Sequence, residues 1–238
     1  MLGIVIPAHN EQDTIDDCLH AAREAATHPA LQGEAVEIVV VLDSCTDATG
    51  VIAARRGAIC LSADLRNVGA ARAAGAEALL ALGARWLAFT DADSCVQADW
   101  LAEQLALRAD AVCGTVGVDD WSPHGEHADL LRAHFELTYF DRDGHRHVHG
   151  ANLGVAAEAY RRVGGFRPMA CSEDVALVDA LQAAGANIAW SARPRVTTSA
   201  RRQARAVGGF ADALIGAVSQ RLADASAKAL SAVVPVGA

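Results

Sequence analysis

Residues 36–49 read Val-Glu-Ile-Val-Val-Val-Leu-Asp-Ser-Cys-Thr-Asp-Ala-Thr. Val36 to Leu42 is apolar except for Glu37, of strand length and rich in β-branched side chains, so it reads as a buried strand that Asp43 ends. The turn formers that follow lead into a helix expected near 47–56. The same pattern recurs on both sides. Ile4-Val5-Ile6 precedes a helix expected over about 12–27. Ala58-Ile59-Cys60-Leu61 precedes one over about 68–82, and Trp86-Leu87-Ala88-Phe89 precedes one near 99–108. Short apolar strands separated by amphipathic helices imply a parallel sheet covered on both faces. Right-handed crossovers then bring the C-terminal ends of the strands to one edge, where such sheets bind ligands. Further on, a strand is expected around 111–118, a short helix ends at Gly164-Gly165, and Ser172 reads as the N-cap of a helix running to Ala184. An amphipathic helix is expected over about 210–232.

The 238 residues carry 20 basic and 29 acidic side chains, a formal net charge of −9, with 52% hydrophobic and 21% charged residues. This is the composition of a globular chain able to bury a core without staples. The acidic balance excludes a general binder of nucleic acid or anionic membranes. Six scattered cysteines, with no CxxC pair, argue against a zinc site or a disulfide framework. Reduced thiols in a cytoplasmic protein are expected, with no leader, since the first residues read directly as a strand. No apolar run approaches the roughly 20 residues of a membrane span. One local bias stands out: between Leu181 and Ala211 there is no Asp or Glu, yet Arg193, Arg195, Arg201, Arg202 and Arg205 all fall there.

Polar clusters follow three of the strands: Pro7-Ala8-His9-Asn10-Glu11, Asp43-Ser44-Cys45-Thr46-Asp47 and Thr90-Asp91-Ala92-Asp93-Ser94. Each alone could be a capped turn; gathered on one sheet edge they suggest a site. Asp91 and Asp93, so close together, repel unless a cation or an arginine neutralises them. Mg²⁺ or Mn²⁺ takes oxygen ligands and bridges readily to a diphosphate.

Six segments carry a further pattern in order: IVIPAHNEQDTI at 4–15, VVVLDSCTDAT at 39–49, RNVGAARAAG at 66–75, FTDADSCVQADWL at 89–101, GANLGVAAEAYRRVGGF at 150–166 and SEDVALVDALQAAG at 172–185. Together they resemble the family 2 glycosyltransferases, nucleotide-sugar-dependent enzymes of the GT-A fold. The resemblance implies an α/β fold with a Rossmann-like, mostly parallel central sheet and helices on both faces. It implies a catalytic domain over 1–205, its nucleotide-binding half at about 1–110 and its acceptor half at about 111–205, followed by a helical extension over 206–238.

It also implies roles. Pro7, Ala8, Asn10 and Glu11 would line the nucleoside pocket, Asp43 would read a uracil or guanine, and Asn67, Gly69 and Arg72 would lie beside the nucleotide. Asp91 and Asp93 would form the metal-binding motif for Mg²⁺ or Mn²⁺, with Asp93 the more direct ligand, and Asp91 and Ala92 would also lie against the nucleotide. Gly150, Ala151 and Asn152 would border the sugar and acceptor. Asp174, of the Glu173-Asp174 pair, would be the base of an inverting transfer from a UDP- or GDP-sugar to an unidentified acceptor. An acceptor hydroxyl must lose its proton as it attacks, so a positioned carboxylate is needed; the alternative use of this acidic pair is to complement a helix dipole.

Arg201 and Arg202 are candidates for gripping diphosphate oxygens by bidentate contacts. Relatives that complete the metal site with a late histidine differ from this chain, which has none after His149. His145, His147 and His149 alternate as if on one strand face, with His149 nearest a substrate, and Trp121 could stack on a sugar. The tail helix could pair two copies of the chain. The alternatives are a nucleotidyltransferase, whose Gly-rich phosphate loop is missing after the first strand, and a non-catalytic nucleotide-sugar-binding partner.

Overall fold

The structure is a computed structural model that describes residues 1–169 and 171–201. The elements, in chain order, are β1 (Leu2–Ala8), α1 (Ile15–Ala26), β2 (Val36–Asp43), α2 (Thr49–Arg55), β3 (Ile59–Ala63), α3 (Val68–Ala81), β4 (Trp86–Phe89), β5 (Ser94–Val96), α4 (Trp100–Ala106), β6 (Ala111–Gly117), α5 (Ala128–Thr138), β7 (Leu153–Ala156), α6 (Ala157–Arg162), α7 (Glu173–Ala183) and β8 (Ile188–Thr198). The expected tail helix lies outside the described residues, as does the pairing of copies attached to it.

Eight strands form one sheet in the order β3-β2-β1-β4-β7-β6-β8-β5. The first four in this order run parallel, in register from Leu2↔Val36 to Ala8↔Leu42 and from Leu2↔Trp86 to Val5↔Phe89. β4 with β7, β7 with β6 and β5 with β8 are antiparallel, while β6 and β8 are parallel. The sheet is thus mixed, and it continues across residue 110, where the nucleotide-binding half was expected to end. Buried side chains of β1, β2 and β4 (Val5, Val39, Val41, Leu87, Phe89) form one core with Leu79 of α3 and Leu177 and Leu181 of α7. Their burial is the main term holding the sheet and helices together.

Three strands were not expected: β5, β7 and β8. β8 contains Pro194 and two arginines, composition that argues against a strand. It is tolerated because the pairing with β6 breaks there: Cys113 faces Trp190, but Thr115 faces Arg195. β5 is only three residues long and begins immediately after Asp93.

Helix starts also moved. α1 begins at Ile15, not Gln12, because the Gln12 N–H donates to Asp47 and its side-chain oxygen accepts from Ala48 N–H. Ser172 does precede α7, yet it sits in the left-handed region at φ +59° and its side chain makes no cap bond. The acids Glu173 and Asp174 occupy the first turn instead.

The chain divides into two compact units, one of residues 1–119 and 141–199 and a second that takes in residues 120–140. In the second, Trp121 is only 8% exposed, and its ring lies 5.6 Å from that of Phe135. This indole fills its own unit's core, contrary to the sugar-stacking role expected of it.

Candidate active site

The loops after β1 and β2 are stitched together by the residues that motif reading singled out. Asn10 Oδ1 accepts from Thr46 N–H at 2.8 Å, and Asn10 N–H donates to Cys45 Sγ at 3.4 Å. The Cys45 thiol donates to the Ala8 carbonyl at 3.3 Å, and Glu11 N–H donates to Thr49 Oγ1 at 2.8 Å. Asn10 and Ser44 both take positive φ, +54° and +55°. Non-glycine residues held there concentrate at functional sites. Cys45 and Thr49 were not expected as site residues, and nothing in their spacing marks them, since their partners are some 40 positions away. A cavity of about 340 Å³ opens beside β2 and β3, lined by Ser44, Cys45, Asp47 and Ser62 among others.

Asp43 is buried at the end of β2. Its Oδ1 accepts from Leu65 and Arg66 N–H at 2.7 and 2.9 Å, and its Oδ2 from Asn67 N–H at 3.0 Å. Burial alone would raise its pKa, but the three amide donors outweigh it and hold the carboxyl below the ordinary aspartate value. The carboxylate thus shapes the loop before α3, where Arg66 also takes positive φ and Asn67 caps the helix by accepting from Ala70 N–H at 2.9 Å.

A folded-state pKa below the unfolded one gives stability that is present above about pH 4 and lost as pH falls through the folded value. Asp43→Asn should therefore destabilise most at neutral pH, where an amide NH₂ would face a backbone N–H. The gap to the native chain should narrow on acidification. Denaturant unfolding at a series of pH values checks this; a gap independent of pH would contradict it.

The centre of the site is Arg72 on α3, which is 4% exposed. Its guanidinium bridges Asp91, at 2.5 Å, and Glu173 at the start of α7. Burial works to lower the Arg72 pKa, but Asp91, Glu173 and Asp174 outweigh it and hold it above the usual arginine value. Burial also pushes the Glu173 carboxyl upward, and Arg72 opposes that push. With the guanidinium in direct contact, we take Glu173 as the carboxylate partner of an ion pair. Gly150 lies against the guanidinium so closely that a Cβ would run into it. Gly69, one turn before Arg72, would likewise collide with the Arg167 carbonyl and Glu173. Both glycines are close-approach positions.

Asp174 is half-buried beside this pair. Its Oδ2 accepts from Gly150 N–H at 2.8 Å and its Oδ1 from Val175 N–H at 2.8 Å. The structure thus brings together Arg72, Asp91, Gly150, Glu173 and Asp174 from four separate segments. Ala92 is buried and Asp93 half-buried in the loop after β4, and Ser94 beyond them donates to Thr198 Oγ1 at 2.8 Å, tying β5 to β8.

The Asn152 side chain, expected to border the sugar and acceptor, is engaged within the protein. It is fully buried; its Oδ1 accepts from Trp100 Nε1–H, and its NH₂ donates to the carbonyls of Thr115 and Pro194, at 2.7 to 2.9 Å. Both amide hydrogens are spent on joining β6 and β8, leaving none for a sugar. Ala151 is also buried.

The three histidines lie in irregular chain, not on a strand. Their rings nevertheless stack in a column, with centroids 5.6 Å apart from His145 to His147 and 6.0 Å from His147 to His149. Burial, helped by His147 and His145, pushes the His149 pKa down to about 4, so the imidazole is neutral at pH 7.

Arg193 and Arg195 of the acid-free stretch find acids elsewhere in the chain, Glu103 and Asp141, each at 2.5 Å. Arg201 is half-buried, and Arg202 and Arg205 lie outside the described residues.

No group of three or more His, Cys, Asp or Glu side chains is arranged to hold a metal among the described residues. What the β4 loop offers is a pair of half-buried carboxylates, Asp91 and Asp93, one oxygen of Asp91 already engaged by Arg72. Their hard oxygen chemistry fits Mg²⁺ or Mn²⁺ as a partial ligand set.

The sequence profile described as Glycosyl transferase family 2 matches residues 3–164, and the chain belongs to that family. No curated protein matches the sequence. Among solved structures, TarS of S. aureus, in complex with UDP-GlcNAc, superimposes with a TM-score of 0.61 at 14% identity, covering 88% of this chain and 61% of that one. The mannosyltransferase PcManGT of Pyrobaculum calidifontis, with GDP-Man and Mn²⁺, gives 0.62 at 20% identity, covering 86% and 58%. Glucosyl-3-phosphoglycerate synthase of Mycobacterium tuberculosis, with Mn²⁺, UDP and glucosyl-3-phosphoglycerate, gives 0.54 at 17% identity, covering 84% and 70%. The fold is therefore GT-A, and the chain spans about 60% of the length of the first two. No helix among the described residues is long and apolar enough to cross a membrane.

Proposed function

We propose that the protein is a glycosyltransferase that moves a sugar from a UDP- or GDP-sugar to an acceptor hydroxyl with inversion, using Asp174 as base. The observation that carries this reading is the convergence of Asp91, Arg72, Glu173 and Asp174 beside the stitched loops after β1 and β2. The nucleoside would lie against the Pro7–Glu11 and Asp43–Asp47 loops, where Asn10 and Ser44 hold strained backbone. Asp91 and Asp93 would hold a divalent cation, Mg²⁺ or Mn²⁺, which when bound neutralises charge on the leaving diphosphate. Displacement forms a bond from the acceptor oxygen to the anomeric carbon and breaks the bond to the phosphate oxygen. The acceptor's proton passes to an Asp174 carboxylate oxygen, whose orientation the Gly150 and Val175 amides fix.

Unfolding midpoints with a panel of nucleotide sugars test the reading. A cognate donor at about 100 times its Kd should stabilise the fold by about 2.7 kcal/mol. A folded protein whose midpoint no UDP- or GDP-sugar raises, with Mg²⁺ or Mn²⁺ present, would count against it.

A further inference from the structure

We infer that Arg72 is a positioning residue, an internal cation that locks the Asp91 loop to the start of α7, and not a ligand of the donor's phosphates. The inference rests on the reading of the site given above, with Asp91 on the donor side and Asp174 as base. Four surfaces enclose the guanidinium. Asp91 and Glu173 take its two terminal nitrogens, the Phe166 ring lies 5.8 Å from its central carbon, and the Gly150 backbone lies against it. Its Nε is buried and makes no hydrogen bond among the described residues. At 4% exposure, the group could reach a phosphate only if Gly150, Phe166 or Glu173 moved away.

The arrangement bears directly on the base. Asp174 has three anchors: its peptide link to Glu173 and the hydrogen bonds from Gly150 N–H and Val175 N–H. Arg72 backs the first two, binding the Glu173 carboxylate and lying against the Gly150 backbone. Holding Asp91 at the same time fixes the distance between the donor side and the base. A lysine ammonium has donors enough for two carboxylates but only one nitrogen on a flexible stem, so it cannot hold Asp91 and Glu173 apart as the two terminal nitrogens of the rigid fork do. A base misplaced by about 1 Å loses rate on the order of 100-fold without losing substrate.

Two measurements decide it. A double-variant cycle of Arg72→Met and Glu173→Met on unfolding free energy needs no ligand. The double variant should be less destabilised than the two single penalties together, and strictly additive penalties would overturn the pairing. Arg72→Lys and Glu173→Gln, which keep size and most of the packing, are then assayed for donor turnover. Each should lower kcat by about 10-fold or more with donor KM within about 3-fold of native. A raised KM at unchanged kcat would show Arg72 gripping the donor and overturn the proposal, as would native kinetics in both variants. A native chain that turns over no nucleotide sugar would instead sink the functional reading, and the cycle would still decide whether the ion pairs hold the site together.

Discussion

Asp174→Asn should lower turnover by about 100- to 10,000-fold, the range that general-base catalysis supplies. The substitution keeps the side chain's shape and one oxygen to accept from Gly150 N–H, and the only bond it gives up is the exposed one from Val175 N–H, so the loop before β7 should stay in place. What is lost is the capacity to take a proton. An acceptor hydroxyl cannot lose its proton unaided at neutral pH, so transfer should nearly cease. Donor affinity should stay within about 3-fold, since an effect confined to the transition state lowers kcat and kcat/KM alike. Steady-state kinetics and nucleotide titration on the same preparation check both halves. Native turnover in the variant would remove Asp174 as base. A matching collapse of nucleotide affinity would mean that the side chain holds the donor side together instead.

The largest stability loss should come from Arg72→Met. Methionine fills much of the volume but leaves the Glu173 carboxylate buried and Asp91 half-buried without their cation. Breaking a buried ion pair by removing one partner costs about 3–5 kcal/mol, because the remaining charge is stranded. Asp91 retains 34% side-chain exposure and can be rehydrated, so most of the penalty falls on Glu173. For a chain of this size each kcal/mol moves the melting temperature by about 2–4 °C, so a fall of roughly 10 °C is expected. Thermal unfolding checks it; a midpoint within about 2 °C of native would show that the ion pairs contribute little net stability.

How much of this could be read from the sequence varied with the range of the interactions. β1, β2 and β4 were legible because each is a buried apolar run, the signature of a parallel sheet covered on both faces, and β3 because it is a shorter apolar run at the sheet's edge. β8 was not, because Pro194 and its arginines belong to a strand whose register breaks midway; it is held by its pairing with β6 and β5, by the Asn152 amide and by the ion pairs to Glu103 and Asp141. The acidic positions were legible as candidates, since carboxylates at strand mouths stand out. Their partnerships were not: Arg72 and Glu173 are 101 residues apart, and the donors to Asp43 are backbone amides, which carry no sequence signal at all. Residues expected to meet ligands divide accordingly. Asn152 and Trp121 serve the core, Asp43 and Asn67 shape the approach to α3, and Arg72 is enclosed by its partners.

The most direct test of the central claim is calorimetric titration of the native protein with UDP and with GDP, with and without Mn²⁺. One of the two nucleotides should bind, and its affinity should rise when Mn²⁺ is present, with the rise lost in Asp93→Asn. A folded protein that binds neither nucleotide under any of these conditions would contradict the account.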